Sequence, residues 1–218
     1  MFSQSEENYL KAIYALSTSV GTDVSTNLIA EKMATKASSV TDMIKKLSEK
    51  ELVHYKKYQG VSLTDFGRKT ALSIIRKHRL WEVFLVNKLD FAWDEVHEIA
   101  EQLEHIRSEK LIDRLDELLD YPSYDPHGDP IPDKEGNFKE RAKVLLSKLP
   151  VKASGICVGV KDSSSKFLKF LDKHQIALGD SITIIDKEEF DESLSLKIQE
   201  REIHISNQIA SNLYLKLL

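Results

Sequence analysis

The stretch from Ser25 to Leu63 constrains the fold most tightly, because it holds several short structured patterns and none of them can bury an apolar face alone. Ser25 to Met33 and Ser38 to Lys50 read as two short helices separated only by the turn Ala34 to Ala37, with Val40, Met43, Ile44 and Leu47 on one face of the second. Leu52 to Leu63 follows as two short β-like runs around Gly60. These pieces need a cover, and residues 4–18 supply it. Ser3-Gln4-Ser5-Glu6 has the form of a capping box, and Tyr9, Leu10, Ile13, Tyr14 and Leu16 recur at helical spacing behind it. The spacing predicts a winged helix-turn-helix head over residues 1–70.

Thr64-Asp65 can cap a long helix over 65–89, and Trp93-Asp94 can start another reaching 119, which predicts a helical domain over 71–138. Pro122, Pro126, Pro130 and Pro132 with Gly128 make 121–136 a loop, and 139–148 reads as a short helix. From Val151 the pattern changes to β-branched runs at 155–160, 181–185, 194–199 and 202–205, with a helical piece at 165–174. A small β-barrel over 150–218 is expected. The fold class is therefore mainly α with a small β domain.

The net charge of −4 disfavours a nucleic-acid ligand until the chain is divided. Residues 1–79 carry 13 basic and 8 acidic residues, residues 80–135 carry 5 and 16, and residues 136–218 carry 13 and 11. A basic head suits phosphate contact, and the acidic middle suits either cation binding or a solvated helix face. No run approaches the roughly 18–20 apolar residues of a membrane span, and Met1 to Glu7 lacks the basic and apolar regions of a signal peptide. The cytosol is the expected compartment. Cys157, the single cysteine, sits between Ile156 and Val158 and reads as a core residue.

In the acidic middle, His97, Glu101, Glu104 and His105 fall within roughly a 100° arc of one helix face. Val96, Ile99, Leu103 and Ile106 take the other face, so the polar stripe is separate from the core stripe. His78 and Glu82, at i and i+4 on the preceding helix, can also close on one ion. Imidazole and carboxylate ligands without thiolates favour Mn²⁺ or Fe²⁺, with Zn²⁺ or Co²⁺ able to substitute in vitro. The competing reading is a set of surface residues paired with Arg79, Arg107 and Lys110. His97-Glu98-Ile99-Ala100-Glu101 falls one residue short of the zincin His-Glu-x-x-His motif, because the second histidine is missing. A metallohydrolase is thus an alternative with no further feature behind it.

Several strings in order resemble the diphtheria-toxin-repressor family of metal-dependent transcriptional regulators. They are Glu7-Asn8-Tyr9-Leu10-Lys11-Ala12-Ile13-Tyr14, Ile29-Ala30-Glu31, Ser38-Ser39-Val40-Thr41, Leu63-Thr64-Asp65-Phe66-Gly67, Arg76-Lys77-His78-Arg79-Leu80, Leu103-Glu104-His105 and His127-Gly128-Asp129-Pro130-Ile131-Pro132. The tail from Val151 resembles the family's SH3-like, FeoA-type domain. The resemblance implies a regulatory metal site at Asn8, Glu101, Glu104 and His105, and a second at His78, Glu82 and His97. Glu101 resembles the manganese regulators, which carry acidic residues where this chain has Asn8 and Lys11; a protonated Lys11 cannot ligate. Iron-type members have a sulfur ligand at the position of Asn8 and cysteine at Glu101.

The resemblance further implies a cytoplasmic homodimer that represses metal-uptake genes from a pseudo-palindromic duplex operator. Metal would be its corepressor, with no small-molecule substrate and no membrane partner. For DNA, the helix over 38–50 would enter the major groove with Ser38, Ser39, Thr41 and Asp42 near its start, and Lys36, Lys45, Lys46, Lys56 and Lys57 would be available to phosphates. Ser and Thr discriminate bases poorly, so part of the selectivity would come from DNA shape. Trp81, Phe84 and Leu85 read as core or dimer packing. The competing class is a winged-helix regulator that answers a non-metal ligand.

Overall fold

Ser3 caps the first helix reciprocally, its hydroxyl accepting from the Glu6 amide at 3.2 Å while the Glu6 carboxylate accepts from the Ser3 amide at 2.9 Å. The structure, a computed structural model, describes residues 2–21, 23–56, 59–139 and 141–218. Helix α1 (Gln4–Val20) lies over α2 (Thr26–Lys32), α3 (Ala37–Glu49) and the hairpin of β1 (Val53–Lys56) and β2 (Gly60–Leu63). Their apolar faces meet in one core around Leu10, Ile13, Ile29, Val40, Ile44 and Leu47. The wing pairs Val53 with Leu63 and Lys56 with Gly60, and Val24 bridges Val61 to tie the wing to the loop after α1.

Thr64 caps α4 (Asp65–Leu89), its hydroxyl accepting from the Gly67 amide at 2.9 Å. Gly67 must be glycine, because a Cβ there would sit 1.9 Å from the Leu52 carbonyl oxygen. At 25 residues α4 is about 37 Å long. It joins the head core through Ala71 to a second core of Leu80, Trp81, Val83, Ala100, Ile112 and Leu115. Trp81 is buried and meets Phe84 edge-on at 5.7 Å, and Leu85 is buried as well.

The single helix expected over 93–119 is two, α5 (Val96–Leu103) and α6 (Glu109–Leu118). The chain turns between them because Ser108 caps α6, accepting from the Leu111 amide at 3.3 Å. Residues 121–136 form the expected loop. The short helix expected over 139–148 is instead β3 (Val144–Leu145) and a 3₁₀ turn (Leu146–Lys148), since Val144 pairs with Leu215.

The last third is a six-stranded antiparallel sheet rather than a closed barrel. Its strands are β3, β4 (Ser154–Val160), β5 (Ser181–Lys187), β6 (Leu194–Ile198), β7 (Arg201–Ile205) and β8 (Leu213–Leu217), ordered β3-β8-β4-β5-β6-β7. Among the described residues β3 and β7 remain edges, so hydrogen bonding does not close the ring. Irregularities at Cys157/Gly159 and Ile184/Asp186 interrupt the register of a sheet that covers α7 (Ser165–Lys173) and the short α8 (Asn207–Ala210). Cys157 is buried in this core, and its burial pushes the thiol up to about 11.

Two contacts fasten this domain to the helical layer. Trp93 Nε1 donates to the Asp172 carboxylate at 3.0 Å, and the Val160 amide donates to the His127 carbonyl at 2.9 Å. Gly128 lies against β4 in the left-handed region, with φ +83°, and a Cβ would fall 2.1 Å from the Val158 carbonyl oxygen. Gly128→Ala should therefore lower unfolding free energy by about 1–3 kcal/mol in urea melts of the full chain. An unchanged midpoint would contradict this docking.

Candidate functional site

Glu82, one turn after His78 on α4, is buried and surrounded by three imidazoles. Its Oε1 lies 3.0 Å from His78 Nε2 and 3.4 Å from His97 Nδ1, and its Oε2 lies 3.7 Å from His127 Nδ1. Among the described residues two groups place their ligand atoms within 4.8 Å of one another: His78, Glu82 and His97, and Glu82, Asp125 and His127. Glu82 belongs to both. The first group is the one the sequence predicts; the second adds Asp125 and His127, which it did not assign. The only sequence signal for them is the His127-Gly128-Asp129-Pro130 string inside a loop, where helical periodicity carries no information.

Hydrogen bonds on the far side of two rings fix which nitrogen faces Glu82. His78 Nδ1 donates to Glu104 Oε2 at 2.6 Å, and His127 Nε2 donates to the Trp93 carbonyl at 2.8 Å. Each ring thus directs its other nitrogen towards the Glu82 carboxylate, the orientation a metal-ligating histidine needs. Trp93 also stacks on His127 at 6.3 Å, so the loop is held from its face as well as its edge. Arg79 holds Asp125 from outside, with its Nε 3.4 Å from Oδ2.

Proton affinities follow from this arrangement. Burial works to lower the His78 pKa, but hydrogen bonds to Glu104 and Glu82 outweigh it and hold the ring at about 9. Burial likewise opposes charge on His127, yet its bond to Glu82 and the charges of Glu82 and Asp125 hold it at about 9. Burial would raise Glu82, but hydrogen bonds from His127, His78 and His97 keep it well below the usual carboxylate range. Asp125 is pushed up by burial and by the charge of Glu82.

Of the four residues expected at the regulatory site, Glu101 and Glu104 meet at Lys11, and among the described residues the four do not form one ligand cluster. Glu104 follows α5 and is 0% exposed; Lys11 Nζ donates to both its oxygens, at 2.8 and 2.9 Å. Lys11 also lies 3.4 Å from Glu101 Oε1, which is 3.7 Å from His97 Nε2. His105 Nδ1 donates to Glu7 Oε2 at 2.5 Å instead of turning to Glu101. Asn8 Oδ1 is buried and has no hydrogen-bond partner among the described residues, which leaves an acceptor oxygen beside this cluster able to ligate. Sequence reasoning missed Glu7 and the Lys11–Glu104 bond, because partners more than 90 residues apart leave no periodic trace. The surface pairing considered as an alternative, with Arg79, Arg107 and Lys110, is not what engages these side chains.

The donors present are imidazole nitrogens, carboxylate oxygens and one amide oxygen, while Cys157 is remote in the last domain. That set suits Mn²⁺ or Fe²⁺. Asn8, His78, Glu82, His97, Asp125 and His127 line a cleft of about 590 Å³ between α1, α4 and the 121–136 loop, and Ser163 of the last domain also lines it.

On the head, α3 buries Val40, Ile44 and Leu47 and exposes Ser38, Ser39, Asp42, Lys45 and Lys46. Its N-cap is Lys36, with no side-chain cap bond, so Ser38 and Ser39 lie inside the helix and do not cap it. Thr41 is half-buried and donates to the Ala37 carbonyl at 3.0 Å, and Asp42 lies 3.7 Å from Lys45. Lys56 is exposed at the end of β1; Lys57 lies outside the described residues. Among the described residues no helix is long and apolar enough to cross a membrane.

Ion binding at the histidines must expel protons held at pH 7. Affinity should rise with pH up to about 9. The opposite holds for the metal-free fold: stability from the raised His78 is complete below about 6.5 and lost as pH passes about 9. Calorimetry of Mn²⁺ binding at pH 7 in buffers of different ionisation heat should give about one to two protons released per ion. A count of zero would contradict the assignment of His78 and His127.

The chain is similar to known proteins along most of its length. The chain matches the family models described as the iron dependent repressor N-terminal DNA binding domain over residues 1–61, the iron dependent repressor metal binding and dimerisation domain over 64–133, and the FeoA domain over 144–217. It is 34% identical over 126 residues to the iron-dependent repressor IdeR of Mycobacterium tuberculosis, covering 58% of this chain and 54% of that protein. The chain thus spans about half the length of that relative. It is 35% identical over 117 residues to the HTH-type transcriptional regulator MntR of Geobacillus kaustophilus, covering 54% of this chain and 82% of that one. A solved manganese-dependent transcriptional repressor in complex with manganese superposes with a TM-score of 0.86 at 33% identity, over 98% of this chain and 100% of that chain.

Proposed function

The chain belongs to the iron-dependent repressor family, and from that premise we propose that it is a DNA-binding transcriptional repressor switched by a divalent metal, Mn²⁺ or Fe²⁺. Its targets are genes of metal uptake. The observation that carries the reading is the buried Glu82 carboxylate faced by His78, His97 and His127, with Asp125 in the second group. A divalent ion bound there supplies the positive charge that these carboxylates otherwise draw from protonated imidazoles.

The chain's own residues carry the response to the head. His78 is oriented by Glu104, and Glu104 is bonded to Lys11 on α1. Helix α1 shares one core with α3, so a change in the helical layer moves or fixes the face that carries Ser38, Ser39 and Asp42. That face enters the major groove, and Lys36, Lys45, Lys46, Lys56 and Lys57 contact phosphates. Leu111 and Leu118, seven residues apart and exposed on α6, suit a homodimer contact. A two-fold dimer reads a pseudo-palindromic operator.

Fluorescence anisotropy of a labelled operator duplex tests the reading at fixed salt in chelator, Mn²⁺, anaerobic Fe²⁺ and Zn²⁺. Mn²⁺ or Fe²⁺ should tighten binding by about 5- to 150-fold, and Glu82→Gln should lose that gain. Equal affinity in chelator and in metal would overturn the metal switch and leave a winged-helix regulator with another effector.

A further inference from the structure

The two halves of the centre differ in what surrounds their buried carboxylates. The side chains that face Glu82 are three imidazoles, each with a ring nitrogen directed at the carboxylate and able to ligate. Glu104 has His78 on one side and Lys11 on the other, and an ammonium cannot ligate. Lys11 donates to both Glu104 oxygens and reaches Glu101, bridging the two carboxylates the sequence assigned to the regulatory ion. Its neighbour Asn8 presents a buried carbonyl oxygen with no partner among the described residues, and a neutral amide adds no charge to attract an ion against that ammonium.

We propose that Lys11 is a tethered cation that determines the order of metal filling: it occupies the Glu101–Glu104 pair in the metal-free protein, so the Glu82 centre fills first and the second ion binds only by displacing Lys11. A carboxylate with no exposure needs positive charge beside it, and Lys11 delivers that charge at the high effective concentration of a side chain already in place. The displaced side chain has somewhere to go, since its 21% exposure opens a route along the cleft to water. The same bond anchors α1, and therefore the head, before any ion arrives. This inference rests on the metal-centre reading proposed above.

Mn²⁺ titrations of the full chain, read by the electron-paramagnetic signal of free ion, should resolve a tighter and a weaker class of sites in the parent. Lys11→Met should tighten the weaker class by about 10- to 100-fold, whereas Lys11→Arg, which keeps the charge, should not. Lysine acetylation followed by mass spectrometry gives a readout on the unaltered chain. Lys11 should stay protected through the first equivalent of Mn²⁺ and become reactive with the second. A weaker class unchanged in Lys11→Met, or Lys11 exposed by the first equivalent, would overturn the proposal while leaving the Glu82 centre intact. Absence of both classes from the parent would overturn the metal-centre reading as well.

Discussion

A carboxylate with no surface exposed to water must be neutralised by what packs around it, and Glu104 is such a group. Burial would raise its pKa, but the hydrogen bond from His78 and the charge of Lys11 keep it below the usual carboxylate range. Those two partners come from different parts of the molecule. Lys11 belongs to α1 of the DNA-binding head, and His78 belongs to the stretch of α4 that carries Glu82. One buried charge therefore obliges the head, the long helix and the end of α5 to meet at one point. Removing either partner would leave the buried charge with only one, which is why this contact specifies a geometry and does more than add stability.

The histidines extend the same logic towards the last domain. His127 donates to the Trp93 carbonyl while its own carbonyl accepts from Val160 on β4, so one residue faces the Glu82 carboxylate and supports the sheet. Trp93 stacks on His127 and donates to Asp172 on α7. The chain thus places its candidate ligands where three packed units touch. A charge change there acts on contacts between units more than on the interior of any one unit.

Much of the architecture was legible because it is local. The capping box at Ser3, the cap at Thr64 and the spacing of Val40, Ile44 and Leu47 each mark an element within a few residues. The break between α5 and α6 was not read, although Ser108 is a sound N-cap, because neither glycine nor proline interrupts Glu104 to Ser108. Residues 144 and 145 join a strand through Leu215 and Tyr214, partners some 70 residues away that override local helical spacing. The alternation of Leu213, Leu215 and Leu217 could have announced that partner strand. Barrel closure depends on how the edge strands end, which no local pattern encodes.

For the site, helical spacing was enough to put His78 and Glu82 side by side, and His97 lies beside them. It was not enough for Asp125 and His127, which reach the centre from an irregular loop. Nor could it foresee that Lys11 would stand between Glu101 and Glu104. The most direct test of the account is thermodynamic reciprocity: Mn²⁺ affinity measured with and without saturating operator duplex, in the parent chain and in Glu104→Gln. Linkage through the head predicts that DNA tightens Mn²⁺ by the factor with which Mn²⁺ tightens DNA, and that this factor falls towards one in Glu104→Gln. Equal Mn²⁺ affinity with and without DNA in the parent would contradict it.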